Sequence, residues 1–153
     1  MTEIIVILHN IRSSLNVGSI FRTADGAGVK QIYLTGYTPA PLDRFGRNDA
    51  RIAKTALGAE SSILWKQGDI SETIKSLKKD GHCIIAVEQD LRSKSYKTLS
   101  PKNKIAFIFG NEVSGIEKDV LELCDEIIEI PMYGKKESLN VGVAVGIILF
   151  NTE

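Results

Sequence analysis

The chain has 153 residues, 43% of them hydrophobic and 25% charged, which is enough to bury one real core and too ordinary for a disordered or fibrous protein. Its formal net charge is zero, so no global electrostatic attraction to nucleic acid or to an anionic membrane follows. Charge is uneven, however: residues 1–58 hold seven Lys/Arg against four acids, a net of +3 balanced by −3 in the remainder, so a local basic face remains available.

In chain order, "EIIVIL" (3–8), "QIYLT" (31–35), "SSILW" (61–65), "CIIAV" (83–87), "IAFIF" (105–109) and "EIIEI" (126–130) read as strands. Most are continuous apolar runs, which predicts a sheet covered on both faces. The opening strand lacks the basic region and long apolar core of a signal peptide, and no run reaches the ~18 residues of a membrane span. The expectation is a soluble cytoplasmic protein with no membrane partner. Helices are predicted between the strands. "NVGSIFRTADGAG" (16–28) ends on glycines, and "NDARIAKTAL" (48–57) opens on Asn48 as cap. "DISETIKSLKKD" (69–80) has Asp69 and Glu72 at capping-box spacing. "IEKDVLELC" (116–124) and an apolar closing helix from Val141 complete the series. Regular alternation of strand and helix predicts an α/β fold with a mostly parallel sheet flanked by helices.

Ligands of such sheets sit beyond the carboxyl ends of the strands. Three segments there are unusual: "HNIRSSLNVGSIFRTA", "GNEVSG" and "PMYGKKESLN", each with glycine beside uncharged amides or hydroxyls. Phosphate-binding glycine patterns fail: "DGAGVKQ" has Gln31 in place of the third glycine, and Glu129 stands where a P-loop needs its first. His9 and His82 are the only histidines, with no nucleophile-elbow serine; His9 reads as a residue that orders the first loop, with general base as the lesser alternative. Cys83 and Cys124 have no metal-type spacing, and Cys83 reads as a buried reduced thiol; no metal is expected.

"NIRSSLNVGSIFRTADGAG", "FIFGNEVSGI" and "IPMYGKKESLNVGVAVGI" resemble, in order and spacing, the three motifs of the SpoU/TrmH family of SPOUT-class RNA ribose 2′-O-methyltransferases. The resemblance covers nearly the whole chain and implies a single domain over 1–153 with no appended RNA-binding domain. It also implies a C-terminal deep trefoil knot, a homodimer, S-adenosyl-L-methionine as cofactor, and tRNA or rRNA as substrate. Residue by residue, it assigns catalytic roles to Asn16, Arg22, Glu112, Ser138 and Asn140, and cofactor contacts to Gly110, Ile130 and Leu139. Gly142 departs from the family's usual Ser in "SLNVS". A catalytically inactive RNA-binding protein of the same fold is the alternative.

In-line methyl transfer to a ribose hydroxyl needs positioning groups and an acceptor for the hydroxyl proton. Amides and hydroxyls at 16, 138 and 140 suit positioning. A guanidinium with a pKa above about 12 is a poor base, so Arg22 reads as a phosphate contact that stabilises the developing alkoxide. Arg12, Arg44, Arg47, Arg51 and Lys54, with Lys135 and Lys136, are the expected RNA-facing cations. Ser138 is the expected cap of the closing helix, and the Gly142/Gly146 spacing predicts close helix packing, against either the core or a dimer partner.

Overall fold

The computed structural model describes residues 1–152. Among these, the strands are β1 (Glu3–His9), β2 (Gln31–Thr35), β3 (Leu64–Gly68), β4 (Cys83–Val87), β5 (Lys94–Ser95), β6 (Lys104–Phe109) and β7 (Glu126–Glu129). The helices are α1 (Ser14–Gly26), α2 (Ala50–Ala56), α3 (Ala59–Ser62), α4 (Ile70–Lys79), α5 (Lys118–Glu122) and α6 (Val141–Phe150). The strands form one sheet in the order β3-β2-β1-β6-β4-β7-β5, and every pairing is parallel.

The continuous apolar runs have a direct structural cause. In β1, Ile4, Val6 and Leu8 point to one face and join the cluster built by α1, α2 and α6. Ile5 and Ile7 point to the other and pack under α4 and α5. Each fully buried aliphatic or aromatic side chain contributes about 1.5–3 kcal/mol, so neither face tolerates the polar half of an alternating strand. No described helix is long and apolar enough to cross a membrane.

Three expectations shift. The third strand runs over Leu64–Gly68, not 61–65, because the chain turns at Gly58 (φ 93°) and makes a helical turn through Ser62. This edge strand is largely exposed, so its polar end carries no hydrophobic signal. The cap of α2 is Asp49, whose side chain accepts from Arg51 N and Ile52 N, while Asn48 bridges to Leu42. Asp69 caps α4 as expected, accepting from Glu72 N at 3.1 Å. The third shift concerns α6: Asn140, not Ser138, is its cap.

Helices α1 and α6 lie side by side and parallel, with Ser19 beside Gly142, Thr23 beside Gly146 and Gly26 beside Phe150. A Cβ at Gly146 would meet only an ordinary contact, 3.7 Å from Thr23 Cγ2. The true close approach is elsewhere, between α1 and α2, where any side chain at Gly18 would collide with Thr55 Oγ1 and the Ile52 carbonyl. The expectation of tight packing at Gly142/Gly146 is therefore corrected: those glycines face α1 of the same chain at ordinary distance, and Gly18 holds the crowded crossing.

Candidate active site

A cavity of about 320 Å³ opens at the carboxyl edge of the sheet, where β4, β6 and β7 end. Apolar walls come from Val87, Phe109, Ile130, Met132, Leu139 and Val141, and a polar rim from Glu88, Glu112, Ser114 and Ser138. Gly110, Ile130 and Leu139, the expected cofactor contacts, all line it, as do Glu112 and Ser138.

The loop after β6 is shaped by amides and glycines. Asn111 is buried; its Oδ1 accepts from Val113 N at 2.9 Å and Ser114 N at 2.8 Å. Its Nδ2 donates to the Asn10 carbonyl and to Tyr37 Oη, both at 2.9 Å. Glu88 Oε2 accepts from Ile116 N at 2.8 Å and fills the space beside Gly115 (φ +70°) that a side chain there would need. Gly110 is equally confined, against Ile116 and the Gly115 backbone.

Glu112 reaches from this loop to the start of α1. Oε2 accepts from Arg12 N at 3.1 Å and Oε1 from Ser13 N at 3.2 Å. Burial, the largest single influence on its carboxyl, raises its pKa; the N–H groups of Glu112, Arg12 and Ser13 and the side chain of Asn16 together outweigh that and hold it below the ordinary value. Asn16 Oδ1 in turn accepts from Asn140 Nδ2 at 3.2 Å. Asn140 Oδ1 accepts from Gly142 N at 2.8 Å and Val143 N at 3.4 Å, capping α6. The relay thus has two observed links: Glu112 accepts from the backbone at the start of α1, and Asn140, oriented by the α6 amides that its Oδ1 caps, donates to Asn16 on α1. It joins the second, first and third motifs at the cavity mouth.

Arg22 is not on this cavity. It is exposed on α1, beside a second hollow shared with Ser19, Thr23, Lys54, Leu57 and Phe150. His9 is also outside: buried, with Nδ1 2.8 Å from Thr35 Oγ1 and Nε2 2.9 Å from Glu117 Oε2, it ties the end of β1 to the start of α5. Cys83 and Cys124 are half-buried free thiols; burial raises both, Cys124 to about 11. At the opposite, amino-terminal edge of the sheet, His82 lies 3.0 Å from Glu3 Oε1 and 3.4 Å from Asp80 Oδ2. Lys30 and Lys104 engage the same two carboxylates at 2.8 and 3.2 Å.

Sequence reasoning missed Glu88, Gln89 and Asn111. Glu88 and Gln89 directly follow an apolar strand, the place where such sheets bind ligands, so position alone marked them. Gln89 Nε2 donates to the Glu137 carbonyl at 2.6 Å and holds the segment before α6 against the cavity.

A doubly covered parallel sheet, with an amide-and-carboxylate relay beside a pocket at its carboxyl edge, defines an α/β ligand-binding domain. The chain belongs to the SpoU rRNA Methylase family, whose model matches residues 3–150. It is 32% identical over 150 residues to the 23S rRNA (guanosine-2′-O-)-methyltransferase RlmB of Neisseria meningitidis, covering 97% of this chain and 57% of that protein. Identity to the RlmB of Escherichia coli is 32% over 147 residues, covering 95% and 58%. The chain thus spans somewhat over half the length of these relatives. Among solved structures, an AdoMet-bound rRNA methyltransferase from Sinorhizobium meliloti superposes with TM-score 0.89 at 27% identity, covering 97% of this chain and 55% of that one. The A. aeolicus TrmH/SpoU tRNA modifying enzyme gives 0.85 at 26%, covering 99% and 74%.

Proposed function

We propose that this chain carries the catalytic domain of an S-adenosylmethionine-dependent RNA ribose 2′-O-methyltransferase. The single observation that carries the reading is the convergence beside the cavity of Glu112, which accepts from Arg12 N and Ser13 N, with the Asn140–Asn16 hydrogen bond. Three motifs far apart in sequence meet there through these hydrogen bonds.

The cavity suits a nucleoside-type cofactor: its walls are apolar, its rim is polar, and no cluster of cations marks a phosphate site within it. Gly110, Ile130 and Leu139 would hold the cofactor, with Ser138 and Glu88 at the rim. Bound there, it supplies a methyl group on a sulfonium. Asn16 and Asn140, each locked by the other, present fixed polar groups for orienting a ribose at the mouth. Glu112 acts through position: it pins the start of α1 and stays ionised, so it does not deliver a proton at neutral pH.

Arg22 belongs to this reading as a phosphate contact that stabilises negative charge growing on the ribose oxygen. Because it borders the hollow beside the exposed Phe150 and Leu57, its reach to a cavity runs through a homodimer that covers this face of α1 and α6. The exposed Val143 and Phe150 support such a pairing. A deep trefoil knot formed by the C-terminal segment, cytoplasmic action and a role for Arg12, Arg51, Lys135 and Lys136 on the RNA backbone complete the proposal. The names of the curated relatives favour ribosomal RNA over transfer RNA as the first substrate to try.

The test is transfer of labelled methyl from S-adenosylmethionine to ribosomal and transfer RNA pools, with the product mapped for 2′-O-methylation. Transfer by the wild type that falls at least about a hundredfold in Asn16→Ala supports the reading. Cofactor binding without transfer to any RNA pool favours an inactive RNA-binding module of the same fold instead.

A further inference from the structure

The hairpin between β2 and α2 is built more carefully than a linker needs. Leu42 and Asn48 pair as an antiparallel bridge, and Asp43 N donates to the Arg47 carbonyl at 2.9 Å. The Asp43 carboxylate accepts from Phe45 N at 2.8 Å, Arg47 N at 2.9 Å and Arg47 Nε at 2.8 Å. With its polar backbone satisfied from inside, the turn is held in one shape and pushes one large apolar ring outward. Phe45 is 67% exposed. The guanidinium carbons of Arg44 and Arg47 stand 4.7 and 5.0 Å from its ring centroid. Arg47 is neutralised by Asp43, whereas Arg44 forms no ion pair among the described residues.

The hairpin is also placed close to the relay. A concavity of about 860 Å³ runs beside it to Ser14, and Ser14 Oγ donates to Asp49 Oδ2 at 3.4 Å, two residues before Asn16. An exposed aromatic ring with two guanidiniums over it is poor cover for an apolar protein partner, because docking would desolvate the cations; an incoming base would displace Arg44, which no carboxylate holds, toward its phosphate. It suits an unpaired nucleotide, whose base offers a π-face and whose phosphate offers charge. A base inside a duplex offers no such face.

We propose that the Phe45 hairpin is a stacking subsite for an unpaired base of the RNA substrate that flanks the modified nucleotide, with Arg44 on the adjoining phosphate. This rests on the RNA methyltransferase reading above and adds to it where a second nucleotide binds.

The experiment measures binding of a short single-stranded oligoribonucleotide of mixed sequence, and of the same strand annealed to its complement, to wild type, Phe45→Ala, Phe45→Leu, Phe45→Trp and Arg44→Gln. Methyl transfer to ribosomal RNA and calorimetric S-adenosylmethionine affinity are followed in parallel. Phe45→Ala and Phe45→Leu are expected to weaken single-strand binding about tenfold with unchanged cofactor affinity, and Phe45→Trp to restore it. Arg44→Gln should lower the salt slope by about one counterion while Phe45→Leu leaves it unchanged. Wild-type single-strand affinity in Phe45→Leu and Phe45→Ala, alongside intact methyl transfer, overturns the stacking subsite alone. Equal losses for single strand and duplex overturn it too, since stacking discriminates between them. A wild type that binds cofactor but no RNA sinks the parent reading and this one together.

Discussion

Asn140 does two jobs with one amide, and the two can be separated. Its Oδ1 satisfies the Gly142 and Val143 amides at the start of α6, and its Nδ2 donates to Asn16. Asn140→Ala removes both. Loss of a cap of this kind costs about 1 kcal/mol. The bond to Asn16 is exposed and adds at most a further fraction of that. For a domain of this size the expected fall in Tm is about 3 °C. Asn140→Asp keeps the capping oxygen and places a negative charge at a helix amino terminus, where it is favourable. It replaces the donor with a second carboxylate oxygen facing Asn16 Oδ1, so the relay is broken while the helix is kept. Asn140→Asp is therefore expected to unfold within about 1 °C of wild type yet lose methyl transfer by tenfold or more. Thermal and urea unfolding give the first number and single-turnover transfer at saturating cofactor the second. Wild-type transfer by Asn140→Asp would refute the relay, and unchanged stability in Asn140→Ala would refute the cap.

Gly18→Ala and Gly146→Ala carry opposite expectations although both put alanine in a helix. The first drives a methyl into Thr55 and the Ile52 carbonyl and should cost about 1–3 kcal/mol by urea unfolding; the second meets only Thr23 at ordinary distance and should gain a few tenths to about 1 kcal/mol from helix propensity. Glu112 has a depressed pKa in the folded protein, so the stability it contributes is present above its unfolded value and drains away as pH falls through the folded one. Glu112→Gln should accordingly be less stable than wild type at pH 7 and show a shallower acid limb, a difference that unfolding curves across the acid range will register. Cys124, raised to about 11 by burial, should react with iodoacetamide at pH 8 far more slowly than free cysteine; fast alkylation of the folded chain would contradict that burial.

The sheet was legible because its strands are buried on both faces and so read as unbroken apolar runs; β6 and β4 needed nothing more. β3 was misplaced because it lies at an edge, where Lys66 and Gln67 face solvent and carry no apolar signal, while Ser61 and Ser62 before it belong to a helical turn. The two-residue β5 has no pattern to read. Cap identity at α2 and α6 turned on which of two nearby small polar residues has its side chain aimed back at the helix, a property of backbone direction that composition does not encode. At the site, Glu112, Asn16 and Asn140 came from the family resemblance, and the resemblance could not supply their connectivity. The direction of each hydrogen bond depends on the loop after β6 meeting the starts of α1 and α6. Arg22 illustrates the limit: its motif neighbours reach the relay, yet helical geometry carries it to another hollow.

The strand order has a consequence for how the chain is made. β1 is flanked by β2 and β6, and Glu3 finds its partner Lys104 only after about a hundred further residues exist. At ribosomal speeds of about 5–20 residues per second, one edge of the central strand waits roughly 5–20 s for its neighbour. Helices α1, α2 and α4 exist before that neighbour does, whereas the covers supplied by α5 and α6 come only after it. The relay waits longer still, since Asn140 is the last of its members to emerge. The activity proposed for this domain thus depends on a contact that only the last of its three motifs completes, after every strand of the sheet has been made.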